Sequence, residues 1–246
     1  MKKYKISNIS YLNTLPFQFG LENFKFSTEF KIQIIKDIPS ACAEKLFNNQ
    51  VDIGIVPVGS ILDRNDFVVI SQYCIASNDI VKSVILASQV PINDIHSIYL
   101  DSHSRTSNIL VKVLAGNFWK IEVEFLNPVP DYLNHVNGNK AGVIIGDRAL
   151  NSASNYKYVY DLAHEWNKYT DLPFVFALWV AKKKPDEKFI KEFNSALKLG
   201  INNIKYLCGD NKFLFEYLTK NIDYILSEDK HKALSIFMKY SKEFLQ

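Results

Sequence analysis

The chain has only 3 cysteines in 246 residues. Cys42, Cys74 and Cys208 are odd in number, far apart and without CxxC or metal-ligand spacing, so a disulfide framework and a zinc site are not expected. Buried thiols of a reducing compartment are the simplest expectation. An excess of one charge is also missing: 29 Lys and Arg stand against 26 Asp and Glu. The basic residues are scattered, which excludes a nucleic-acid footprint. No apolar run reaches the length of a membrane span. Met1-Lys2-Lys3 looks like the start of a secretion signal, but Tyr4-Lys5-Ile6-Ser7-Asn8 breaks the apolar core such a signal needs. A Gly-rich phosphate loop, a nucleophile elbow, paired carboxylates and a histidine cluster are absent as well. The expectation is a cytoplasmic protein with no metal, no cofactor and no obligate protein partner, acting on a small molecule.

What is present is a core-forming chain, 48% hydrophobic, with a β-α rhythm. Strands are predicted at 6–9, 30–35 and 51–57, with helices starting near Pro16 and Pro39. An extended apolar segment follows at 67–76, and a strand at 82–88. The rhythm then starts afresh, with strands at 97–100, 121–126 and 141–145, and further strands at 157–161 and 174–181. Between the last two, 162–169 reads as a helix. From Asp186 the pattern is helical almost to the end, with Phe189, Phe193, Leu197 and Ile201 on one stripe and Ala233, Ile236, Phe237 and Tyr240 on another. The fold class expected is α/β, with two lobes of mostly parallel sheets flanked by helices and a ligand cleft between them. Residues 1–81 with 182–246 would form one lobe and 82–181 the other, the helical tail returning to the first.

In open α/β sheets ligands bind beyond the carboxyl ends of strands. The loops so placed are 11–16, 57–60, 101–107 and 146–150. Asp101-Ser102-His103-Ser104-Arg105-Thr106-Ser107 lies between a strand and an apolar stripe of helical spacing (Ile109, Leu110, Val113, Leu114). Its hydroxyls fall at the first turn of a helix, whose free amides and dipole attract a carboxylate or phosphate. Asn13, Ser83 and Asp147 complete the candidate set, a group of mostly neutral donors suited to a small dianionic acid. Each has a plainer role open to it. Ser104 or Thr106 could cap a helix, Asn13 could close its own turn, Asp147 could be an N-cap, and Ser83 a bystander in a strand.

Taken together, Tyr11-Leu12-Asn13-Thr14-Leu15-Pro16-Phe17, Asp52 to Val58, Ser83-Val84-Ile85-Leu86, Ser104-Arg105-Thr106-Ser107, Gly146-Asp147 with Ala149-Leu150, Asp161-Leu162 with Glu165-Trp166, and Leu172 to Ala177 resemble the chorismate dehydratases of the futalosine route to menaquinone. The sister 1,4-dihydroxy-6-naphthoate synthases typically open with a Cys-Pro-Asn-type loop, absent here. The resemblance implies a type II periplasmic-binding-protein-like fold that removes water from chorismate without a cofactor. It also implies Asn13 as the catalytic donor, Thr106 and Ser107 with nearby Ser104 on one carboxylate, Arg105 either assisting there or bracing the turn, and Ser83 on the other. The proton acceptor would be Asp147 or the substrate's own enolpyruvyl carboxylate. The alternatives on the same scaffold are a non-catalytic binding or sensing protein for a small dicarboxylic acid and the sister 1,4-dihydroxy-6-naphthoate synthase.

Overall fold

The computed structural model describes residues 1–244. It divides into two compact units, Met1–Ala76 with Val175–Ser227, and Ser77–Phe174 with the chain from Glu228 on.

In the first unit β1 (Lys2–Ile9), α1 (Leu15–Asn23), β2 (Phe30–Asp37), α2 (Pro39–Phe47), β3 (Ile53–Pro57) and β4 (Val68–Ser77) follow in order. β1 lies between β2 and β3, parallel to both, with Ile6 opposite Ile34 and Ile53. Proline opens α2, where its missing N–H costs nothing, and Ala41, Ala43 and Leu46 carry the helix on. α2 covers one face of the sheet: Ser7 Oγ donates to Asp37 Oδ2 at 2.6 Å and lies 2.9 Å from Cys42 Sγ.

The second unit begins with β5 (Val84–Ser88) and β6 (Ser97–Tyr99), and continues with α3 (Arg105–Val113), β7 (Glu124–Leu126), β8 (Lys140–Ile145), α4 (Asp147–Ser152), β9 (Tyr158–Asp161) and α5 (Leu162–Thr170). Its strand order is β7-β6-β8-β5-β9. β6 is parallel to β7 and β8, whereas β5 runs antiparallel to β8 and β9. Three parallel strands thus form one side of each sheet, β2-β1-β3 in the first and β7-β6-β8 in the second, and an antiparallel strand continues each from there.

The chain then supplies the first unit with β10 (Phe174–Ala181), α6 (Glu187–Asn202), α7 (Ile204–Cys208), α8 (Lys212–Glu216) and β11 (Asp223–Ile225). The completed sheet has the order β11-β4-β10-β3-β1-β2, with β10 antiparallel to β3 and β11 to β4. α6 crosses α1 so closely that a Cβ on Gly200 would stand 1.6 Å from the Pro16 carbonyl oxygen, and one on Gly20 2.0 Å from that of Ala196. Only glycine lets these backbones meet.

Two expectations fail in the tail. It is not helical throughout, because β11 interrupts it; three residues are too few to leave a periodic trace. The last helix, α9 (Glu228–Ser241), belongs to the second unit instead of returning to the first. Its Phe237 ring stands 4.9 Å from Phe174 and 5.7 Å from Trp166 of α5, so an aromatic cluster decides where the apolar stripe docks. All three cysteines are buried, and none of them forms a disulfide among the described residues. Among the described residues no helix is long and apolar enough to cross a membrane.

Candidate functional site

In the first unit the turn after β1 is Leu12–Thr14, leading straight into α1. Thr14 holds it: its buried hydroxyl donates to the Tyr11 carbonyl at 2.9 Å and also bonds the Ile9 carbonyl. Tyr224 of β11 reaches across and donates to the Asn13 backbone carbonyl at 3.0 Å. Burial pushes the Tyr224 phenol well above its ordinary pKa, so it remains a donor. The Phe17 ring packs edge-on against both Tyr224 and Trp179 beneath this turn. With the backbone so occupied, Asn13 does not close its own turn. Its side-chain Oδ1 is buried and makes no hydrogen bond. Asn8, wholly buried in β1, likewise has neither amide atom bonded. A buried polar atom left unpaired costs on the order of 1–3 kcal/mol and calls for a reason.

In the second unit the direction of β5 places Ser83. The N-terminal end of an antiparallel strand lies beside the carboxyl ends of its parallel neighbours, and Val84 is opposite Ile145 at the end of β8. Ser83 precedes the strand; its carbonyl accepts from the Gly146 N–H at 2.7 Å. The predicted strand start at residue 82 is two residues early, because Lys82 takes a left-handed backbone with φ +62°. The Lys82 amide donates to Asp161 Oδ2 at 2.6 Å, and the Val81 amide bonds the same carboxylate. Asp161 also caps α5 through the Ala163 and His164 amides. Glu165 of the same helix accepts from Trp119 Nε1 and Lys168, and Trp166 Nε1 donates to the Pro173 carbonyl. These residues of the sequence motif are therefore structural, fixing α5 and the approach to Ser83.

Gly146, at φ +62° and ψ −146°, occupies backbone space that a side chain would strain, and it is the N-cap of α4. Asp147 stands one residue further on, in the first turn, and is not the cap.

At the end of β6 the cap of α3 is Ser104, whose Oγ accepts from the Ser107 amide at 3.1 Å and donates to Ser107 Oγ at 2.8 Å. The plain capping role is therefore real for Ser104. Thr106 and Ser107 are buried beside it and Arg105 is exposed. The loop is shaped by Asp101, whose carboxylate is fully buried. Its Oδ1 accepts from the His103 amide at 2.7 Å, while Oδ2 accepts from Tyr132 Oη at 2.9 Å and Arg148 Nη2 at 2.6 Å. The Asn108 side chain bonds both the N–H and the carbonyl of Asp101. Burial, and next the Asp101 charge, raise the Tyr132 phenol, which therefore stays protonated. Loops 101–107 and 146–150 with Ser83 thus share one edge of this sheet. Sequence reasoning did not find the roles of Tyr132, Arg148 or Tyr224. For Asp101 the signal was there: an Asp right after a strand readily bonds the amide two residues on.

The model of a family described as menaquinone biosynthesis matches residues 4–243. The chorismate dehydratase of Campylobacter jejuni is 28% identical over 245 residues, covering 95% of this chain and 96% of that protein. Among solved structures, a protein of Archaeoglobus fulgidus is similar with a TM-score of 0.71 at 16% identity, over 98% of this chain and 97% of that one. A Candida albicans gene product described as having the generic periplasmic binding protein fold gives 0.63 at 15%, over 100% and 90%. The periplasmic aliphatic sulphonate binding protein of Escherichia coli gives 0.61 at 16%, over 99% and 93%. At these identities the structures establish the fold, that of the periplasmic binding proteins, and nothing about ligands.

Proposed function

The chain belongs to the menaquinone biosynthesis family, and from that premise we propose that it is a chorismate dehydratase, a hydro-lyase that converts chorismate to 3-[(1-carboxyvinyl)oxy]benzoate and water in the futalosine route. The observation that carries the proposal is the end-to-end match to a curated chorismate dehydratase. The site geometry supports it.

Chorismate carries a ring carboxylate conjugated to the ring double bonds, an enolpyruvyl ether, and a hydroxyl on the neighbouring carbon. The hydrogen on the ether-bearing carbon is vinylogously acidic. Its loss sends charge toward the ring carboxylate; breaking the C–O bond to the hydroxyl then makes the ring aromatic, and proton and hydroxide leave as water. Aromatisation supplies the driving force, so the protein's task is orientation and donors for growing negative charge.

Asn13 fits the hydroxyl. Dianionic chorismate has a single O–H, and the buried, unbonded Oδ1 of Asn13 is an acceptor lacking a donor. Accepting that hydrogen bond fixes the C–O bond for elimination, while the amide N–H donates to the charge that develops. Thr106 and Ser107, with Ser104 and Arg105 alongside, are assigned to one carboxylate and Ser83 to the other. Asp147 and the enolpyruvyl carboxylate of the substrate are the two candidates for the base.

Incubating the purified protein with chorismate tests the reading. Loss of the diene absorbance, with formation of one aromatic product and no other reactant, is the expected result. A protein that binds chorismate and returns it unchanged would be a binding protein on this fold.

A further inference from the structure

We propose that Arg148 is a further substrate-binding residue, its guanidinium oriented by buried Asp101 so that the remaining N–H groups pair with a carboxylate of the dianionic substrate. The inference rests on the dehydratase reading and adds a charged contact to a donor set otherwise assigned mainly to neutral groups.

Asp101 shows how the orientation arises. It is a carboxylate with no exposed side-chain surface, and three groups converge on it: the nearby His103 amide, Arg148 Nη2, and the Tyr132 hydroxyl, whose one O–H is shared with the Val143 carbonyl at 2.5 Å. A buried carboxylate needs such partners to offset the hydration it has lost. Arg148, however, is not used up by the pairing. A guanidinium carries five N–H donors in a fixed fork. One nitrogen is committed to Asp101, and the rest of the fork makes no hydrogen bond among the described residues. The side chain remains 37% exposed. Arginine normally loses rotamer freedom when it binds, and here that loss has already occurred in the free protein.

Position supports the same role. Arg148 follows Gly146, whose N–H bonds the Ser83 carbonyl. The carboxylate it holds also shapes the loop leading to Ser104 at the start of α3. Arg148 therefore links the two loops that carry the candidate carboxylate donors. Its chemistry is also suited to an elimination: a guanidinium stays protonated, so it holds an anion without competing for the proton being removed.

The rival role is that of counter-ion to Asp101 alone, and a double substitution separates the two. Arg148→Met, Arg148→Lys and Asp101→Asn/Arg148→Met are compared with wild type for kcat and KM on chorismate. Calorimetry then measures binding of the product and of two monoanionic analogues, each lacking one of its carboxylates. If Arg148 holds a carboxylate, Arg148→Met raises KM and weakens product binding by about 10–100-fold. The analogue lacking that carboxylate binds the variant within about twofold of wild type, Lys restores part of the loss, and the double variant stays defective. Recovery of product binding in the double variant, equal weakening of both analogues, or unchanged binding in Arg148→Met would each overturn the inference. Wild-type protein that neither converts chorismate nor binds the product would overturn the dehydratase reading, and this inference with it; a fully active wild type with indifferent variants overturns the inference alone.

Discussion

Asn13→Leu should make the protein slightly more stable and far less active. In the free protein the Asn13 side-chain oxygen is buried without a partner, a state that costs on the order of 1–3 kcal/mol. Leucine has the same number of side-chain heavy atoms with the same branching, and it removes that penalty. The turn itself should survive, because Thr14 closes it and Tyr224 bonds the Asn13 backbone, which leucine retains. After allowance for the part of the side chain that is not buried, a net gain of about 1 kcal/mol is expected, or about 2–4 °C in Tm for a chain of this size. Catalysis should move the other way. Loss of one donor aimed at developing charge commonly costs about a hundred-fold or more in kcat. Product binding is the third arm. The product has lost the hydroxyl, so it offers Asn13 Oδ1 no donor, and its affinity for the variant should stay within about tenfold of wild type, about 1.4 kcal/mol. Thermal unfolding, initial rates on chorismate and calorimetry on the product check the three arms. A Tm several degrees lower, with kcat and product binding reduced together, would mean that Asn13 builds the turn and that its catalytic assignment is wrong.

Thr106→Val should weaken transition-state binding by about 1.5–3 kcal/mol in kcat/KM, as loss of a hydrogen bond to a charged group does. Ser104→Ala should instead lower stability by about 1 kcal/mol in urea unfolding, because Ser104 is the cap of α3. Gly200→Ala forces a Cβ to within 1.6 Å of the Pro16 carbonyl oxygen; a loss of about 3 kcal/mol or more in urea is expected, and near-native stability would contradict the close crossing of α1 and α6. Burial pushes the Cys42 thiol from about 9 up to about 12. Its contribution to stability is therefore complete below pH 9 and falls as the pH rises toward 12, a decline that Cys42→Ala should flatten in a pH series of unfolding curves.

The parts of the fold that could be read in the sequence are those that leave a local period. Pro39 followed by good helix formers marked α2, and Ile109, Leu110 and Val113, all three buried, marked α3 where the spacing put them. The hydroxyl cluster indeed falls at a helix start, with Ser104 as its cap. Contacts between distant residues left no such trace. Tyr224 bonds Asn13 across 211 residues and Arg148 bonds Asp101 across 47. Both pairings depend on which elements are neighbours, and periodicity reports only which face of one element is apolar. The same limit explains the tail: Ala233 and Phe237 gave the stripe on α9 correctly, but the stripe does not say whether Trp166 or some other apolar surface receives it.

The placement of Ser83 bears on how a binding fold can carry an elimination. Had β5 been parallel to β8, Ser83 would lie at the far edge of the sheet from Gly146 and α3. Running antiparallel, it begins where its neighbours end, and Asp161 fixes the two residues before it with backbone hydrogen bonds. Each proposed donor is braced in this way by a group of its own: Ser83 through Asp161 and Gly146, the 101–104 loop through Asp101 and Asn108, and Asn13 through Thr14 and Tyr224. Donors fixed before the substrate arrives need little reorganisation as charge develops, and this is the condition under which hydrogen bonds lower a barrier as well as bind a ligand. A binding protein needs its contacts to favour the ligand as it stands. For an enzyme at least one contact must favour the transition state over what precedes and follows it. Asn13 meets that requirement on the proposed chemistry through its amide N–H, which donates to charge that exists only as the reaction proceeds; its acceptor, paired by the substrate's only hydroxyl, is left unpaired again once water has gone, favouring release of the product.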